Sequence, residues 1–437
     1  MNTSTTWPTQ NLDTSEAAAL ARDAADPLAH FREHFFVPPG VIYLDGNSLG
    51  LLCREAEEET LRALQQWKDL AIDGWLAADP PWFTLGEELG ALTAPLLGAE
   101  PEAVIVAHST TVNQHALLAT FYQPYGSCRK IVATELDFPS DIYAIQSQIA
   151  LHGGDLADDL VRVPSRDGRT IAEDDIIAAL TENVALAILP AVLYRSGQLL
   201  DMERLAAAAR ERGVLLGFDC AHSAGAVPHQ FDAWGVDFAF WCSYKYLNAG
   251  PGATGGLYVN RRHWQSGPGL AGWWGSHKAR QFDMRHQFEG AEGAGAWQIS
   301  TPPLLATAPL RGALRLFHEA GLDALRAKSL AQTAYLADLL TASGLTASPY
   351  DFVLGTPVES DRRGGHLAVE HPEASRISRS LRARGIVPDF RAPNVIRLAP
   401  VPLYTTYHEL WQTSRALREI IDTGAHLRLA EGRELVA

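Results

Sequence analysis

The sequence is short of cysteine, which limits the metal and disulfide chemistry that it can carry. Its 437 residues include only four cysteines, which are scattered along the chain: Cys53, Cys128, Cys220 and Cys242. None of them forms the closely spaced pair that is typical of zinc sites. We therefore expect neither a disulfide framework nor a bound metal ion.

Long apolar runs and an excess of positive charge are also missing. No segment approaches the roughly 18 consecutive apolar residues of a membrane span, and residues 1–23 have neither the basic nor the apolar region of a signal peptide. The formal net charge of −15 argues against nucleic acid as a partner, because phosphate backbones bind clusters of Lys and Arg. The sequence predicts a cytoplasmic protein with no nucleic-acid or membrane partner.

What the sequence does contain is an α/β pattern without internal repeats. Short apolar strands alternate with helices from about residue 100 to 260, which predicts a largely parallel sheet covered on both faces. Helices are also expected over 13–34, 53–72 and 310–343, the first with a capping-box-like start at Asp13 and Glu16. We expect an N-terminal segment (1–50) packing on the small domain, a large domain (51–310) and a smaller α+β domain (311–437).

Polar residues follow four of the predicted strands, at Ser109 to Thr111, Asp137 to Asp141, Asp219 to His222, and Tyr244-Lys245. In open α/β sheets ligands bind at the carboxyl ends of strands. The coincidence of four such ends is more informative than any one of them. It predicts a binding site at this edge of the sheet.

Lys245 is the most unusual of these residues, because lysine is seldom found among aromatic residues at the end of a buried strand. One interpretation is structural, with the stem packed on aromatic rings and the amine reaching water. The other is a lysine that forms a Schiff base, since burial disfavours its charged form and frees a nucleophilic amine. The glycines that follow, in "NAGPGATGG", favour the second interpretation.

The other strand ends could complete a site for pyridoxal 5′-phosphate (PLP), although each has a simpler explanation. Asp219 could cap the next helix, or it could hold a proton on a pyridine nitrogen and so keep PLP an effective electron sink. The hydroxyls of Ser109, Thr110 and Thr111 could cap a helix or bind a phosphate at its N-terminus. Phe138 could stack on a flat ring.

Two further features lie outside these strands. Trp273 and Trp274 form a pair in a glycine-rich segment, where exposed aromatic residues often mark interfaces. Arg397 sits in an apolar, strand-like segment. It could form a structural ion pair or bind an amino-acid carboxylate with two hydrogen bonds.

A set of motifs in order along residues 44 to 404 resembles the kynureninase family, a PLP-dependent family of fold type I in the class V aminotransferase group. The motifs are "LDGNSLGL", "FPSD", "FDCAHSAG", "CSYKYLNAGPG", "GWWG", "QISTPP" and "IRLAPVPLY". This resemblance implies a seven-stranded, mostly parallel sheet and a homodimer with shared active sites. It also implies hydrolytic cleavage of the Cβ–Cγ bond of L-kynurenine to anthranilate and L-alanine, in tryptophan catabolism.

The resemblance also implies roles for individual residues. Lys245 would hold PLP covalently and act as the base, Tyr244 would assist as a general acid or base, and Arg397, Asn47 and Ser48 would bind substrate. Trp274 and Thr301 would come from the neighbouring subunit. The cofactor-binding residues would be Thr110, Thr111, Phe138, Asp141, Asp219, His222, Tyr244, Lys245, Trp274 and Thr301.

Two positions depart from the family pattern. Thr301 stands where animal members tend to carry Asn, which favours unsubstituted kynurenine over its 3-hydroxy form. Pro190 stands where other members offer a serine hydroxyl to the phosphate, so that contact would be absent or pass through a backbone carbonyl.

Two alternatives stay open at this point. One is a different PLP reaction, such as a desulfurase or an aminotransferase, although no cysteine is well placed to act as a mobile nucleophile. The other is a non-catalytic α/β binding protein.

Overall fold

The computed structural model of the chain describes Trp7 and residues 13–430. Parts of the predicted N-terminal segment (1–6 and 8–12) and the end of the predicted C-terminal domain (431–437) lie outside the described residues.

The strands of the described chain belong to three sheets. They are β1 Ile42–Tyr43, β2 Val104–Val106, β3 Lys130–Thr134, β4 Leu160–Val163, β5 Val184–Pro190, β6 Leu215–Asp219, β7 Phe238–Trp241, β8 Gly256–Val259, β9 Val353–Leu354, β10 Leu367–Glu370, β11 Ile386–Val387, β12 Asp389–Arg391 and β13 Val395–Leu398.

The largest sheet has seven strands in the order β2-β8-β7-β6-β5-β3-β4. Strands β3 to β7 pair in parallel, and β8 runs antiparallel to both of its neighbours. Strand β7 shows why both faces are buried: Phe238 and Phe240 enter one apolar core, and Trp241 enters the core on the opposite face, as the two-residue period of a strand requires. The prediction of a mostly parallel seven-stranded sheet is confirmed.

The helices flank this sheet and cover the C-terminal part of the chain. They are α1 Glu16–Ala24, α2 Arg54–Leu70, α3 Gly74–Ala77, α4 Leu85–Leu97, α5 Thr110–Phe121, α6 Pro139–Leu151, α7 Leu156–Asp159, α8 Glu173–Ala179, α9 Met202–Glu211, α10 Phe231–Trp234, α11 Leu304–Ala320, α12 Leu322–Ala342, α13 Ala374–Arg382 and α14 Tyr407–Asp422.

The first predicted helix is shorter than the expected range 13–34. Helix α1 ends at Ala24, and Pro27 follows within three residues, where proline disfavours the helical conformation of the residue before it. The cap also differs from the prediction. Ser15 accepts the backbone N–H of Ala18, whereas Asp13 accepts the N–H of Ser15.

The long helix expected over 310–343 is two helices, α11 and α12, which are separated at Gly321. Gly321 has a φ of +75°, a backbone conformation that glycine adopts without the steric cost other residues incur. The break redirects the chain from the large sheet to the C-terminal part.

The C-terminal part forms an antiparallel sheet with the strand order β12-β13-β10-β9. This sheet and helices α12 to α14 enclose a separate core that includes Leu336, Leu367, Ile396 and Leu417. The smaller α+β domain is therefore confirmed as a fold element. Strand β1 pairs in parallel with β11, which joins the N-terminal segment to this part. The three domain boundaries stay a prediction.

The described residues show neither a membrane-spanning helix nor a cluster of metal ligands. In this part of the chain no helix is long and apolar enough to cross a membrane. The same residues contain no group of three or more His, Cys, Asp or Glu side chains placed to hold a metal ion.

Candidate active site

The parallel strands bring the predicted polar residues to one edge of the sheet. Asp219 is the last residue of β6 and lies opposite Pro190 of β5 and Phe240 of β7. Lys245 follows four residues after β7 ends. Since β6 and β7 are adjacent, Asp219 and Lys245 lie at neighbouring strand ends.

The Lys245 amine lies among residues from two other strand ends. Its Nζ is 3.2 Å from Nε2 of His222 and 5.9 Å from the ring centroid of Phe138. Burial, followed by the positive charge of Lys245, lowers the pKa of His222 well below its ordinary value. The imidazole is therefore neutral, and its Nε2 can accept a hydrogen bond from the ammonium group.

The turn that carries Lys245 is held by the N-terminal segment. The backbone N–H of Gly50 donates to the carbonyl of Tyr244 at 2.8 Å. A Cβ atom on Gly50 would lie 2.4 Å from the Lys245 carbonyl oxygen, so only glycine allows this approach. The motif "LDGNSLGL" therefore packs directly against the lysine turn.

Three buried carboxyl groups, those of Asp137, Asp141 and Asp219, lie close enough to influence one another at these strand ends. Asp219 accepts the backbone N–H of Ala221 at 2.8 Å, and burial raises its pKa while Lys245 opposes that rise. Burial, together with the nearby charge of Asp219 and a hydrogen bond to it, raises the pKa of Asp141 well above its usual range. Asp141 is therefore the member of the pair that holds a proton. Burial also raises the pKa of Asp137 to about 7.

Hydroxyl groups lie at a third position along this edge of the sheet, where α5 begins. Thr110 is the first residue of α5, and the side chain of Ser109, the residue before it, makes no capping hydrogen bond. Thr111 is exposed, Tyr244 is half-buried, and burial raises the pKa of the Tyr244 phenol above its ordinary value. These hydroxyls and the N-terminus of a 12-residue helix suit an anion such as phosphate.

Thr301 and Trp274 lie outside the strand ends that carry Asp219 and Lys245. Thr301 is exposed, and the backbone N–H of Ile299 donates to Nε2 of His108 at 2.9 Å, which ties this segment to the start of α5. The expectation of an exposed tryptophan pair is wrong for Trp274, which is 4% exposed, and right for Trp273, which is 42% exposed.

Trp274 belongs to an aromatic cluster of its own. Its ring centroid lies 5.1 Å from that of Trp75 and 5.5 Å from that of Phe83, and the Lys278 ammonium lies 4.6 Å from its ring centroid. Its indole N–H is buried and has no hydrogen-bond partner among the described residues. It is therefore free to donate to a ligand.

Arg397, on β13, lies in the same site as Lys245. It is 1% exposed, and its positive charge contributes to the lowered pKa of His222. Its Nη1 donates to the carbonyl of Tyr194 at 2.8 Å, and its Nη2 donates to the hydroxyl of Ser48 at 3.0 Å. Asn47, next to Ser48, is fully buried, and its amide makes no hydrogen bond within the described chain.

Sequence reasoning missed two residues of this region, Asp389 and His366. Asp389 is fully buried and accepts a hydrogen bond from Nε of Arg397. His366 is fully buried, its ring centroid lies 6.0 Å from that of His222, and burial lowers its pKa to about 3. Neither residue belongs to a recognisable motif. The sequence carried no local signal for Asp389, because its contact with Arg397 depends on the register between β12 and β13.

Comparisons with known proteins agree with this arrangement. Residues 97–234 match the DegT/DnrJ/EryC1/StrS aminotransferase family, and residues 325–417 match the kynureninase C-terminal domain. The chain is 54% identical over 415 residues to a kynureninase of Geobacillus thermodenitrificans, covering 95% of this chain and 96% of that protein. It is also 54% identical over 419 residues to a kynureninase of Bacillus anthracis, covering 96% of this chain and 97% of that protein.

The chain belongs to the kynureninase family. Identity over nearly the full length of both proteins includes the large sheet, the C-terminal part and the N-terminal segment, so the kynureninase family assignment covers the whole site.

Solved structures with lower identity support the fold alone. A cysteine desulfurase from Thermococcus onnurineus NA1 has a TM-score of 0.77 at 16% identity, with 90% of this chain and 98% of that chain covered. A structure of C-DES with glycine covalently linked to the PLP cofactor has a TM-score of 0.76 at 20% identity, with 88% and 98% covered. These likenesses confirm fold type I for this member of the kynureninase family.

The side chains of the site fit PLP. The buried carboxyls of Asp141 and Asp219 are both acted on by the cation Lys245, and a pyridinium nitrogen would add further positive charge beside them. The Phe138 ring faces the Lys245 amine, whose Nζ lies 5.9 Å from the ring centroid. The hydroxyls at the start of α5 would hold the phosphate.

Proposed function

We propose that this chain is a PLP-dependent hydrolase acting on carbon–carbon bonds, which converts L-kynurenine to anthranilate and L-alanine. The observation that carries the proposal is the position of the Lys245 amine, 3.2 Å from His222 and 5.9 Å from the Phe138 ring. Membership of the kynureninase family supports the choice of substrate.

PLP, when bound, supplies an electron sink that stabilises negative charge first at the α-carbon and then at the β-carbon of the substrate. Lys245 would hold the cofactor covalently and, once displaced by substrate, move the α-proton with its Nζ. Asp219 would hold the proton on the ring nitrogen, and Asp141 would donate to Asp219. The neutral His222 would accept a hydrogen bond from the lysine amine.

The remaining predicted residues would bind the phosphate of the cofactor and the carboxylate of the substrate. We propose that Thr110, Thr111 and Tyr244 hold the phosphate, and that the Tyr244 phenol, whose raised pKa keeps it protonated, serves as a proton donor. Arg397 would bind the substrate carboxylate, assisted by the Asn47 amide and the Ser48 hydroxyl. Because Arg397 is nearly fully buried, water competes little with a carboxylate that it binds.

Thr301 supports a preference for L-kynurenine over 3-hydroxykynurenine. Its side chain is exposed in the single chain and lies in the segment that His108 ties to the start of α5. A short threonine would offer the 3-hydroxyl group a weaker partner than the carboxamide of Asn at this position.

We also propose a cytoplasmic homodimer in which Trp274 and Thr301 complete the site of the neighbouring subunit. An apolar face on α2, α3 and the segment between them supports a second copy as its occupant, because monomeric proteins seldom expose so many large apolar side chains together. The exposed residues of this face are Leu61, Leu64, Trp67, Ile72 and Leu76.

The test is a side-by-side assay of L-kynurenine, 3-hydroxykynurenine and L-cysteine with the purified protein. We expect alanine and anthranilate from L-kynurenine, slower turnover of the 3-hydroxy form, and no turnover by Lys245→Ala. The wild-type protein should be yellow and lose its near-visible absorbance with borohydride. Release of sulfide from cysteine in place of kynurenine turnover would show a desulfurase, and a colourless protein that ignores added PLP would show a binding protein.

A further inference from the structure

We propose that Asp389 is a positioning residue that fixes the guanidinium of Arg397 so that it presents its two terminal nitrogens to the substrate carboxylate. This inference rests on the proposed function, in which Arg397 binds that carboxylate.

The sheet register brings the two residues together. Asp389 of β12 lies directly opposite Arg397 of β13 in an antiparallel pair, where facing side chains are close enough to interact. The carboxylate of Asp389 accepts the N–H of Arg397 Nε. Both side chains are almost completely buried, at 0% and 1% exposure, so water does not compete for this hydrogen bond.

The remaining hydrogen bonds of Arg397 decide how it can bind a carboxylate. A guanidinium has five N–H donors. Asp389 takes the one on Nε, the Tyr194 carbonyl takes one on Nη1, and the Ser48 hydroxyl takes one on Nη2. One N–H is left on each terminal nitrogen as the donors available to a carboxylate, while Asp389 occupies the Nε side.

Charge in this region also favours a carboxylate ligand. The Nε of Arg391 lies 3.1 Å from Oδ2 of Asp389, so one carboxylate faces two guanidinium groups. The two guanidinium groups carry one more charge than Asp389 neutralises, and Asp45, whose pKa burial raises to about 6, offsets part of that excess. An anionic substrate group that arrives there forms charge-assisted hydrogen bonds, which are stronger than neutral ones.

The test compares L-kynurenine with its α-carboxamide in wild-type holoenzyme and in Asp389→Asn, which keeps the shape of the side chain and removes its charge. We expect KM for L-kynurenine to rise at least about tenfold, with kcat changed less than about threefold. The ratio of the KM values for the amide and the acid should fall toward one. The PLP absorbance should stay as in wild type.

A control is Asp159→Asn, which breaks an ion pair between a buried carboxylate, 5% exposed, and an arginine that is 37% exposed, beside β3 and β4 of the large sheet. The two carboxylate oxygens of Asp159 lie 3.1 Å and 3.0 Å from Nε of Arg129. Arg129 is the residue just before β3. We expect this variant to lose stability and to keep the wild-type KM ratio. A purely structural role for Asp389 would make the two variants alike, and that result would overturn the inference.

Arg397→Lys separates failure of the inference from failure of the proposed function. If Arg397→Lys leaves the KM ratio unchanged, Arg397 does not bind the carboxylate and the proposed role fails. If Arg397→Lys lowers the ratio while Asp389→Asn does not, the inference about Asp389 alone fails. Should Asp389→Asn fail to fold, Asp389→Glu keeps the charge one methylene away, and an unchanged KM in that variant contradicts the inference.

Discussion

At the scale of single residues, the pair Asp141 and Asp219 shows how one site can hold two carboxyl groups in different states. Both are buried, and a hydrogen bond between them raises the pKa of Asp141 and opposes the rise of the pKa of Asp219. Lys245 favours the charged form of both carboxyls, and the hydrogen bond between them favours the charge on Asp219 and opposes it on Asp141. Asp219 is therefore the carboxylate that can face a pyridinium nitrogen.

This difference predicts unequal effects of the two isosteric substitutions. Asp219→Asn removes the charge that holds a proton on the ring nitrogen, so we expect kcat to fall at least about 100-fold. Asp141→Asn keeps a hydrogen-bond donor where the protonated carboxyl donated, so we expect kcat to fall less than about tenfold. Steady-state rates with L-kynurenine, together with the PLP absorbance of each variant, make the comparison. Equal losses in both variants would contradict the assignment of the proton to Asp141.

Individual residues were predictable where a local pattern carried them. Asp219 ends an apolar strand, and His222 and Lys245 follow such strands within a few residues. The parallel sheet brings these strand ends together. Asp389 was not predictable in this way, because its contact with Arg397 depends on the register between β12 and β13. The burial of Trp274 depends on contacts with Trp75 and Phe83, which are remote in sequence.

At the scale of elements, the segment that joins β1 to α2 acts as a support for the lysine turn. Its glycines allow close contact at two points. A Cβ on Gly46 would lie 2.3 Å from the Tyr404 hydroxyl, and one on Gly50 would lie 2.3 Å from Oδ1 of Asn248. Asn47 and Ser48 lie between these two contacts, which fixes them beside Arg397.

Gly50→Ala should therefore damage the site through the backbone of the lysine turn. The new methyl group must displace the Lys245 carbonyl or the Asn248 side chain, and such overpacking costs about 1–3 kcal/mol. We expect the free energy of unfolding to fall by that amount and kcat to fall at least about tenfold. Urea denaturation of the holoenzyme and steady-state kinetics measure the two effects.

The control for this substitution is Gly295→Ala, at a buried glycine whose added Cβ would have its nearest neighbour at 3.4 Å, an ordinary contact distance. We expect near wild-type activity and stability. If Gly50→Ala is as active as this control, the N-terminal segment does not position Lys245.

Apolar periodicity predicted well which helices and strands form. It predicted poorly where each of them begins and ends. Strands β2, β3 and β5 to β8 were expected from their apolar runs, whereas β4 was not. Helix α2 agrees with the prediction for 53–72 to within two residues. Helix α1 ends early because Pro27 interrupts a helix-prone stretch, and Gly321 divides a continuous apolar pattern into α11 and α12. In both cases a single proline or glycine ends a helix that the pattern of the neighbouring side chains predicted to continue.

At the scale of the whole molecule, the candidate site combines three distant parts of the chain. The segment from 44 to 50 supplies Asn47 and Ser48, the large sheet supplies the residues from Thr110 to Lys245, and the C-terminal sheet supplies Arg397. Hydrogen bonds from Arg397 to Ser48 and Tyr194 join all three. The site therefore depends on how the two sheets are held together, and the expected fourth contribution is a second copy of the chain.

Mixing two inactive variants tests whether Trp274 serves the neighbouring subunit. Lys245→Ala lacks the base, and Trp274→Ala lacks the indole. If Trp274 reaches across the dimer, each hybrid dimer has one site with Lys245 from one chain and Trp274 from the other. Random exchange makes half of the dimers hybrids with one intact site of two, so about a quarter of the wild-type activity should return. Turnover of L-kynurenine after unfolding and refolding an equimolar mixture measures it. Activity no higher than the mean of the two separate variants would instead place Trp274 in the site of its own chain.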